Sequence, residues 1–344
     1  MRVVFGILPA LLLAVLCLRS WTVADDKPVA SIEASATAYL SSLTDEQRAK
    51  AELSYDSPER VNWAFIPLET RKGMPLMHMN EAQKAAALQL LKSIVSQAGF
   101  DKSRKIMDLE NVLRQLEGPN SHERRNPEKY YFTVYGKPST EGTWGVSIEG
   151  HHLSLNFVIE KNKVVDAAPQ FFASNPATLK KSYGDRFPEG LRVLAAEEQL
   201  GFELLKSMNA EQKKVAVVAA AAPKDIINAA GAQPKVEPAK GIAASKLQEP
   251  QKQMLRKLID TYCASMRTEV AAERWKLIEG AGFDNVTFAW MGAEEPGIGH
   301  YYAIQGSTFL IEFVNVQADA AGNPANHIHC VWHDLTGDFN LPIK

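Results

Sequence analysis

The strongest chemical signal in the sequence is the segment Asn326-His-Ile-His-Cys-Val-Trp-His-Asp334, which holds three of the eight histidines of the chain. Its residues alternate as in a β-strand, so His327, His329 and His333 are expected on one face and the apolar side chains on the other. Two imidazoles two residues apart on a strand lie about 6–7 Å apart and can converge on one ion. The segment therefore predicts a divalent-metal site that includes His327 and His329.

A further ligand is expected from strand-like segments elsewhere in the chain. Alternation over residues 151–158 places His152 on the face of the strand that points away from the apolar side chains. The same alternation makes His151 and His152 face opposite ways, so only one of them joins a shared site. The same counting places Glu312 on the polar side of its strand, and His300 begins another strand. The candidate metal ligands are His152, His327 and His329, and the candidate catalytic residues are Glu312 and His300.

The chemistry of such a site depends on its donors. Imidazoles with one carboxylate suit zinc, which is favoured here, and they also suit copper. Three protein ligands with one open position would let zinc activate a water, so a metal-dependent hydrolase is favoured over a metal-dependent oxidoreductase.

Two other interpretations of the sequence stay open. One is a non-catalytic module in which Trp144, Tyr301, Tyr302 and Trp332 bind an extracellular ligand such as a glycan; the other is a structural protein whose histidines satisfy buried hydrogen bonds.

Charge and cysteine content exclude other classes of function. The chain has 38 lysines and arginines against 40 aspartates and glutamates, so no surplus of positive charge is available for phosphates and no nucleic-acid partner is expected. The expected partner is a small molecule or an extracellular polymer of unknown identity.

Beyond residue 24 the only cysteines are Cys263 and Cys330, which permit one disulfide but no cysteine-based zinc cluster. Alternation places Cys330 in the core beneath the helix that carries Cys263.

The N-terminal residues have the features of a cleavable signal peptide. Arg2 is followed by an apolar run over residues 3–18 and then by Thr22-Val23-Ala24, a small-residue cleavage site. Residues 1–24 are therefore interpreted as a signal peptide, and the mature protein is expected to be secreted or periplasmic. No later segment approaches the roughly 18 apolar residues of a spanning helix, so no membrane insertion is expected after cleavage.

Four sequence features recur in the same order in the two parts of the chain. The first two begin amphipathic helices with capping-box patterns, and the last two are alternating strands around a glycine. The paired segments are residues 43–48 with 208–213, 80–84 with 248–252, 144–150 with 300–306, and 151–158 with 307–314. The recurrence predicts an α+β fold made of a duplicated unit of helices plus antiparallel strands, with two pseudo-symmetric halves at 25–200 and 201–344.

One segment interrupts this pattern. Residues near 215–246, in the second half, are rich in alanine, proline and lysine. This composition is typical of a linker, a loop or a partly helical arm.

The chain resembles a largely bacterial family called domain of unknown function 3500. The resemblance covers nearly all of the sequence after the signal peptide and implies export and a shared fold, without a reaction. The motifs that carry it are Arg71-Lys-Gly-Met-Pro-Leu76, Tyr130-Tyr-Phe-Thr-Val-Tyr-Gly136, Glu149-Gly-His-His-Leu-Ser-Leu-Asn156, Leu194-Ala-Ala-Glu-Glu198, His300-Tyr-Tyr-Ala-Ile-Gln-Gly306, Phe309-Leu-Ile-Glu312 and Ala325-Asn-His-Ile-His329. The family is expected to carry arginine where this chain has His333, which argues against a ligand role for His333.

The signal-peptide interpretation predicts the N-terminus of the mature protein. N-terminal sequencing of the protein recovered from the medium or the periplasm should give a sequence that starts near Asp25, because Thr22-Val23-Ala24 suits signal peptidase. Recovery of the chain with its apolar segment intact would contradict this interpretation.

Overall fold

The computed structural model of the protein describes residues 31–229 and 231–342, so the predicted signal peptide lies outside the described residues. Within these ranges the chain forms eight α-helices and one mixed sheet of thirteen strands. None of these helices combines the length and the apolar character that crossing a membrane would require.

The elements up to residue 174 are called the first series, and those from residue 195 onward are called the second. The helices are α1 (Ile32–Ser42), α2 (Asp45–Ala51), α3 (Glu81–Ile94), α4 (Gln97–Glu117), α5 (Ala195–Ser207), α6 (Ala210–Ala216), α7 (Glu249–Cys263) and α8 (Thr268–Gly280). The strands are β1 (Glu52–Leu53), β2 (Met74–Pro75), β3 (Tyr131–Tyr135), β4 (Thr143–Gly150), β5 (Leu153–Glu160), β6 (Lys163–Asp166), β7 (Gln170–Ser174), β8 (Val217–Ala219), β9 (Ile242–Ala243), β10 (Thr287–Gly292), β11 (His300–Gln305), β12 (Phe309–Asn315) and β13 (Ile328–Asp334).

The sheet joins the two series through their last strands. Its order is β1-β3-β4-β5-β7-β13-β12-β11-β10-β8, with β2 beside β3, β6 beside β5 and β9 beside β10. Most neighbours are antiparallel, as expected, but β1 is parallel to β3 and β8 is parallel to β10, so the sheet is mixed. The antiparallel pair β7–β13 lies at the centre and aligns His329 with Ala173.

The predicted helix starts are confirmed. Thr44 and Asn209 each accept a hydrogen bond from the backbone amide three residues later, and Gln47 and Gln212 complete two capping boxes at α2 and α6. Capping boxes also begin α3 and α7, at Asn80–Gln83 and Gln248–Gln251. The two capping glutamines of each series contact each other, Gln47 with Gln83 and Gln212 with Gln251. Local capping chemistry therefore determines where these four helices begin.

Both faces of the sheet are buried. The helices cover one face, where apolar side chains of β5 and β12 such as Leu155 and Ile311 pack against them. Irregular segments cover the other face, where Trp63, Phe65 and Ile226 pack against the sheet. Polar residues that alternation places away from the helices are therefore buried as well. Ser154, Asn156 and Glu312 are at most 2% exposed.

The segment near 215–246 takes part in this second layer. It begins with the end of α6 and with β8, reaches β9 at Ile242, and ends in a 3-10 helix at Ala244–Lys246; the described residues between β8 and β9 have no regular secondary structure. The indole of Trp63 donates to the carbonyl oxygen of Gly231 at 2.9 Å, which ties the two covering segments together. The described part of the segment is therefore a covering loop packed on the sheet, which is the loop alternative among the three.

Cys330 faces the helix-covered core, as predicted, and shares that core with Cys263. Both are free, so no disulfide joins them in this structure. Burial raises the pKa of the Cys263 thiol to about 12, and it raises that of Cys330 further. Neither thiol therefore has the character of an activated nucleophile.

The helix-covered core predicts a clear contrast between two isoleucines of this sheet region. Ile311→Ala should lower the free energy of unfolding by about 2–5 kcal/mol, because its side chain is fully buried and its removal leaves a cavity. Ile298→Ala, at a site 58% exposed, should change it by no more than about 0.5 kcal/mol. Denaturant unfolding measures both, and equal losses would contradict this description of the core.

Candidate metal centre

Three imidazoles converge where β5, β7 and β13 meet. His327 Nε2 lies 2.9 Å from Nε2 of His152 and 3.0 Å from Nε2 of His329. The ligand atoms of the three side chains all lie within 4.8 Å of one another. The structure therefore brings together the three histidines that the sequence proposes as metal ligands.

His152 is placed by a tight turn. It lies with His151 in the two-residue turn between β4 and β5, and it adopts a φ of 66°, in the left-handed region. Its N–H donates to the carbonyl oxygen of Phe65 at 2.8 Å, and its own carbonyl oxygen accepts from the N–H of Ala173 at 2.9 Å. These bonds fix the turn against both β7 and the covering layer.

The prediction that His151 and His152 face opposite ways is wrong. It assumed a continuous strand, whereas the two residues form a turn and their rings stack with centroids 3.6 Å apart. Only His152 joins the cluster, and His151 is a buried, hydrogen-bonded histidine, as predicted for one of the two. Its Nδ1 contacts the carboxylate of Glu110, and Arg125 Nη1 lies 3.0 Å from that same Nδ1.

The outer ring nitrogens of two of the three histidines have polar neighbours. His329 Nδ1 lies 2.7 Å from the carboxylate oxygen Oδ1 of Asp225, and His327 Nδ1 lies 3.4 Å from Nδ2 of Asn175. A carboxylate in this position holds the tautomer with the proton on Nδ1 and leaves the Nε2 lone pair free for a metal. Asp225 comes from the covering loop, and nothing in the composition of that segment indicates its role.

The electrostatics favour neutral imidazoles. Burial, followed by repulsion from His329, lowers the pKa of His327 to about 3. Burial, followed by the neighbouring histidines, lowers the pKa of His152 well below its usual range. Burial would raise the pKa of Asp225, but the hydrogen bond and charge of His329, together with the backbone N–H of Ile226, outweigh burial, and the pKa is lowered. At neutral pH, His152 and His327 are therefore deprotonated, as metal ligands must be.

Aromatic rings enclose the cluster on the side of the covering layer. The rings of Phe65 and Phe171 meet the His329 ring edge-on, with centroids 5.2 and 5.5 Å away. His152 and His329 are buried, whereas His327 is only half-buried, and the side chain of Asp225 is 35% exposed. Solvent therefore reaches the cluster beside His327 and Asp225.

His300 does not reach the cluster, because it lies on the opposite face of the sheet. It aligns with Asn315, a helix-side position of β12, and its ring stacks on Trp290 and Phe313. Its Nε2 lies 3.2 Å from a carboxylate oxygen of Glu198. The strand pairing that determines this orientation was not available from the sequence.

Glu312 lies on the same face as the cluster but is not part of it. It aligns with Val331, two residues from His329 along β13. Its carboxylate accepts hydrogen bonds from the backbone amides of Ile227 and Asn228. It therefore contacts the covering loop instead of the three histidines.

His333 is also outside the cluster, in agreement with the doubt about its ligand role. Its Nδ1 lies 2.6 Å from Asp338 Oδ2. Burial disfavours its protonation, but the Asp338 carboxylate outweighs burial, and the pKa of His333 is raised.

The aromatic residues proposed to bind a glycan cannot present their faces to one, because each is at most 2% exposed; they are Trp144, Tyr301, Tyr302 and Trp332.

Fold and site together define a mixed α/β protein with a three-histidine cluster on the loop-covered face of one large sheet. Residues 25–341 match the family model described as protein of unknown function (DUF3500), and the chain belongs to this family, as its motifs indicate. No curated protein matches the chain, and no solved structure matches it.

The burial of Glu110 next to His151 predicts that the free energy of unfolding depends on pH. Burial raises the pKa of Glu110 from 4.5 to about 8, so the folded protein holds a proton that the unfolded chain releases. The stabilisation from this bound proton is complete below the pKa of Glu110 in the unfolded chain. It is lost as pH rises through the pKa of Glu110 in the folded protein. Between pH 5 and 8, the free energy of unfolding should therefore fall relative to Glu110→Gln, by up to about 1.4 kcal/mol per pH unit.

Denaturant unfolding of both proteins across this range gives the comparison. Glu110→Gln keeps the shape and a hydrogen-bonding group but does not ionise, so any pH dependence common to both proteins has another source. Parallel pH profiles would show that Glu110 is already ionised in the folded protein.

Proposed function

We propose that the protein is an exported metalloprotein that binds one divalent ion through Nε2 of His152, His327 and His329, with zinc favoured and copper as the alternative. The observation that carries this proposal is the convergence of the three nitrogens, at 2.9 and 3.0 Å for the two contacts of His327. Zinc bonds of about 2.0–2.1 Å at tetrahedral angles place ligand nitrogens about 3.3 Å apart. Small side-chain adjustments therefore suffice for a shared ion.

Hydrogen bonding among the histidines alone does not account for the cluster. Each contact between two Nε2 atoms needs one donor and one acceptor, and a neutral ring has a single N–H. With the Nδ1 proton of His329 directed at Asp225, its Nε2 is an acceptor, and the lone proton on Nε2 of His327 would have to serve two neighbours. A cation at the centre would satisfy all three lone pairs at once.

The arrangement is better suited to catalysis than to a purely structural metal. Three protein ligands leave one position open, where a zinc ion would lower the pKa of a bound water. In this role Asp225 holds the His329 ring, Phe65 and Phe171 restrict water on one side, and half-buried His327 lies at the entrance. We therefore favour a metal-dependent hydrolase and keep a metal-dependent oxidoreductase as the alternative for copper.

A non-catalytic ligand-binding module is the second candidate, and one cavity favours it. The cavity has a volume of about 460 Å³, and its lining includes Arg192, Glu198, Asn315 and Asn326. Asn326 directly precedes His327, and Asn315 accepts a hydrogen bond from the backbone amide of His327. A polar small molecule or the end of an extracellular polymer suits this lining.

We also propose that residues 25–200 and 201–344 arose by duplication of one unit. The order β3-β4-β5-β7 is matched by β10-β11-β12-β13 from the opposite edge of the sheet, which supports this origin. Gly150 ends β4 and Gly306 follows β11, so each begins the connection to the next strand. The proposed metal ligands break the symmetry, because one comes from the first unit and two come from the second.

The metal proposal predicts the outcome of a metal analysis on protein purified without a histidine tag. After equilibration with zinc and removal of free ion, the wild type should retain about one equivalent, because three imidazoles hold one ion. His327→Ala/His329→Ala should retain little or none while its circular dichroism stays that of a folded protein. Elemental analysis gives the metal content.

The control is His78→Ala/His122→Ala, which removes two exposed histidines and should retain zinc like the wild type. Equal zinc content in all three proteins, or none in the wild type, would rule out this site. The ligand-binding module would then be the better explanation of the chain.

A further inference from the structure

We propose that Glu312 is a positioning residue for the metal centre: it holds the part of the covering loop that brings Asp225 to His329. This inference rests on the proposed metal site and assigns Glu312 a role that needs no contact with the ion or with a substrate.

Glu312 is a carboxylate with no exposed surface, and its two oxygens accept four hydrogen bonds. Oε2 accepts from the backbone N–H of Ile227 at 2.5 Å and from the hydroxyl of Tyr301 at 2.9 Å. Oε1 accepts from the backbone N–H of Asn228 at 3.0 Å and from its side-chain amide at 2.8 Å. All four donors are neutral, and three of them belong to two consecutive loop residues. A buried charge is costly unless it is hydrogen-bonded in this way, so the carboxylate and the loop depend on each other.

The loop residues held by Glu312, Ile227 and Asn228, lie two and three positions after Asp225, the residue that contacts His329. Asp225 Oδ1 accepts from the N–H of Ile226 at 2.8 Å and lies 2.7 Å from His329 Nδ1. Between the two attachment points, the Ile226 side chain is 3% exposed and packs in the core beneath the covering layer. Four consecutive residues, 225–228, are therefore attached to the sheet at four points, the fourth being the carbonyl oxygen of Asn228, which lies 3.1 Å from Nε2 of His333.

Glu312 and His329 belong to neighbouring strands, which makes the arrangement rigid. β12 and β13 pair without a register shift, with Glu312 opposite Val331 and Val314 opposite His329. The carboxylate that holds the loop and the imidazole that the loop contacts are thus fixed relative to each other by the sheet. Loss of the Glu312 contacts would free the amides of Ile227 and Asn228 and loosen the loop next to Asp225, while leaving the three histidines in place.

The expected effect is on metal affinity. Carboxylates that orient metal-bound histidines typically contribute about 10–100-fold to affinity. Because Glu312 acts through Asp225, we expect Glu312→Gln to weaken zinc binding by an amount within that range and no larger than the effect of Asp225→Asn. In the Asp225→Asn background, Glu312→Gln should have little further effect, since the contact that it positions is already lost.

The experiment is a competition titration with zinc and a chromophoric chelator on the wild type, the two single variants and the double variant. Glu197→Gln is the matched control, because Glu197 is also a buried carboxylate, 2% exposed, but it pairs with Lys102 on the helix side of the sheet. It should leave zinc affinity unchanged. Hydrogen exchange of the metal-free proteins should show faster exchange at the amides of Ile227 and Asn228 in Glu312→Gln and not in Glu197→Gln.

The outcomes separate the two proposals. A wild type that does not bind zinc overturns the metal site and this inference with it. If the wild type and Glu312→Gln bind zinc equally tightly, the inference fails and the metal site stands. The inference also fails if Glu312→Gln weakens zinc binding by the same factor in the wild type and in the Asp225→Asn background. If Glu312→Gln does not fold, Asn228→Ala removes one of the four donors, and unchanged zinc affinity in that variant counts against the inference in the same way.

Discussion

The pairing of β7 with β13 is the interaction on which both the fold and the candidate metal centre depend. It aligns five residue pairs, from Ile328 with Ser174 to Trp332 with Gln170, and makes one sheet from strands of both series. The same pairing brings His329 opposite Ala173, whose N–H donates to the carbonyl oxygen of His152. Because side chains alternate along a strand, a shift of one residue would turn His329 toward the helices and separate the cluster.

Burial of both faces explains why polar side chains of the sheet lie inside the protein. The helices alone could cover one face, and the irregular segments that cover the other bring backbone amides and carbonyls that need partners. Glu312 accepts from two of those amides, and Arg71 donates to the carbonyl oxygens of Ala64 and Ile66. Polar residues of the sheet and of the loops themselves therefore satisfy the backbone groups of loops that cover this face.

Local signals were the most predictable part of the structure. The helix starts at Thr44 and Asn209 could be predicted because a capping box involves only four consecutive residues. The spacing of His327 and His329 predicted a shared face for the same reason, since the two residues lie on or next to one strand. His152 was proposed as the third ligand because alternation placed it on the polar side of its own segment.

Features that depend on long-range pairing, or on a turn that the alternation concealed, could not be predicted. The orientation of His300 depends on how β11 aligns with β12, and alternation within one strand does not reveal it. The stacking of His151 on His152 follows from a turn with a positive φ, which interrupts the alternation assumed for that segment. Asp225 reaches His329 across 104 residues of sequence from a segment whose composition resembles a linker. Only the folded covering layer brings that carboxylate to the site.

The separation of the cluster along the chain has a consequence for the order of assembly. His152 and His327 are 175 residues apart, so an extended chain cannot present them together. An ion shared by them would be acquired only after the central strands had paired, late in folding and, for an exported chain, after translocation. The metal would then be drawn from the compartment in which the protein folds, and the supply of ions there would decide which one it holds.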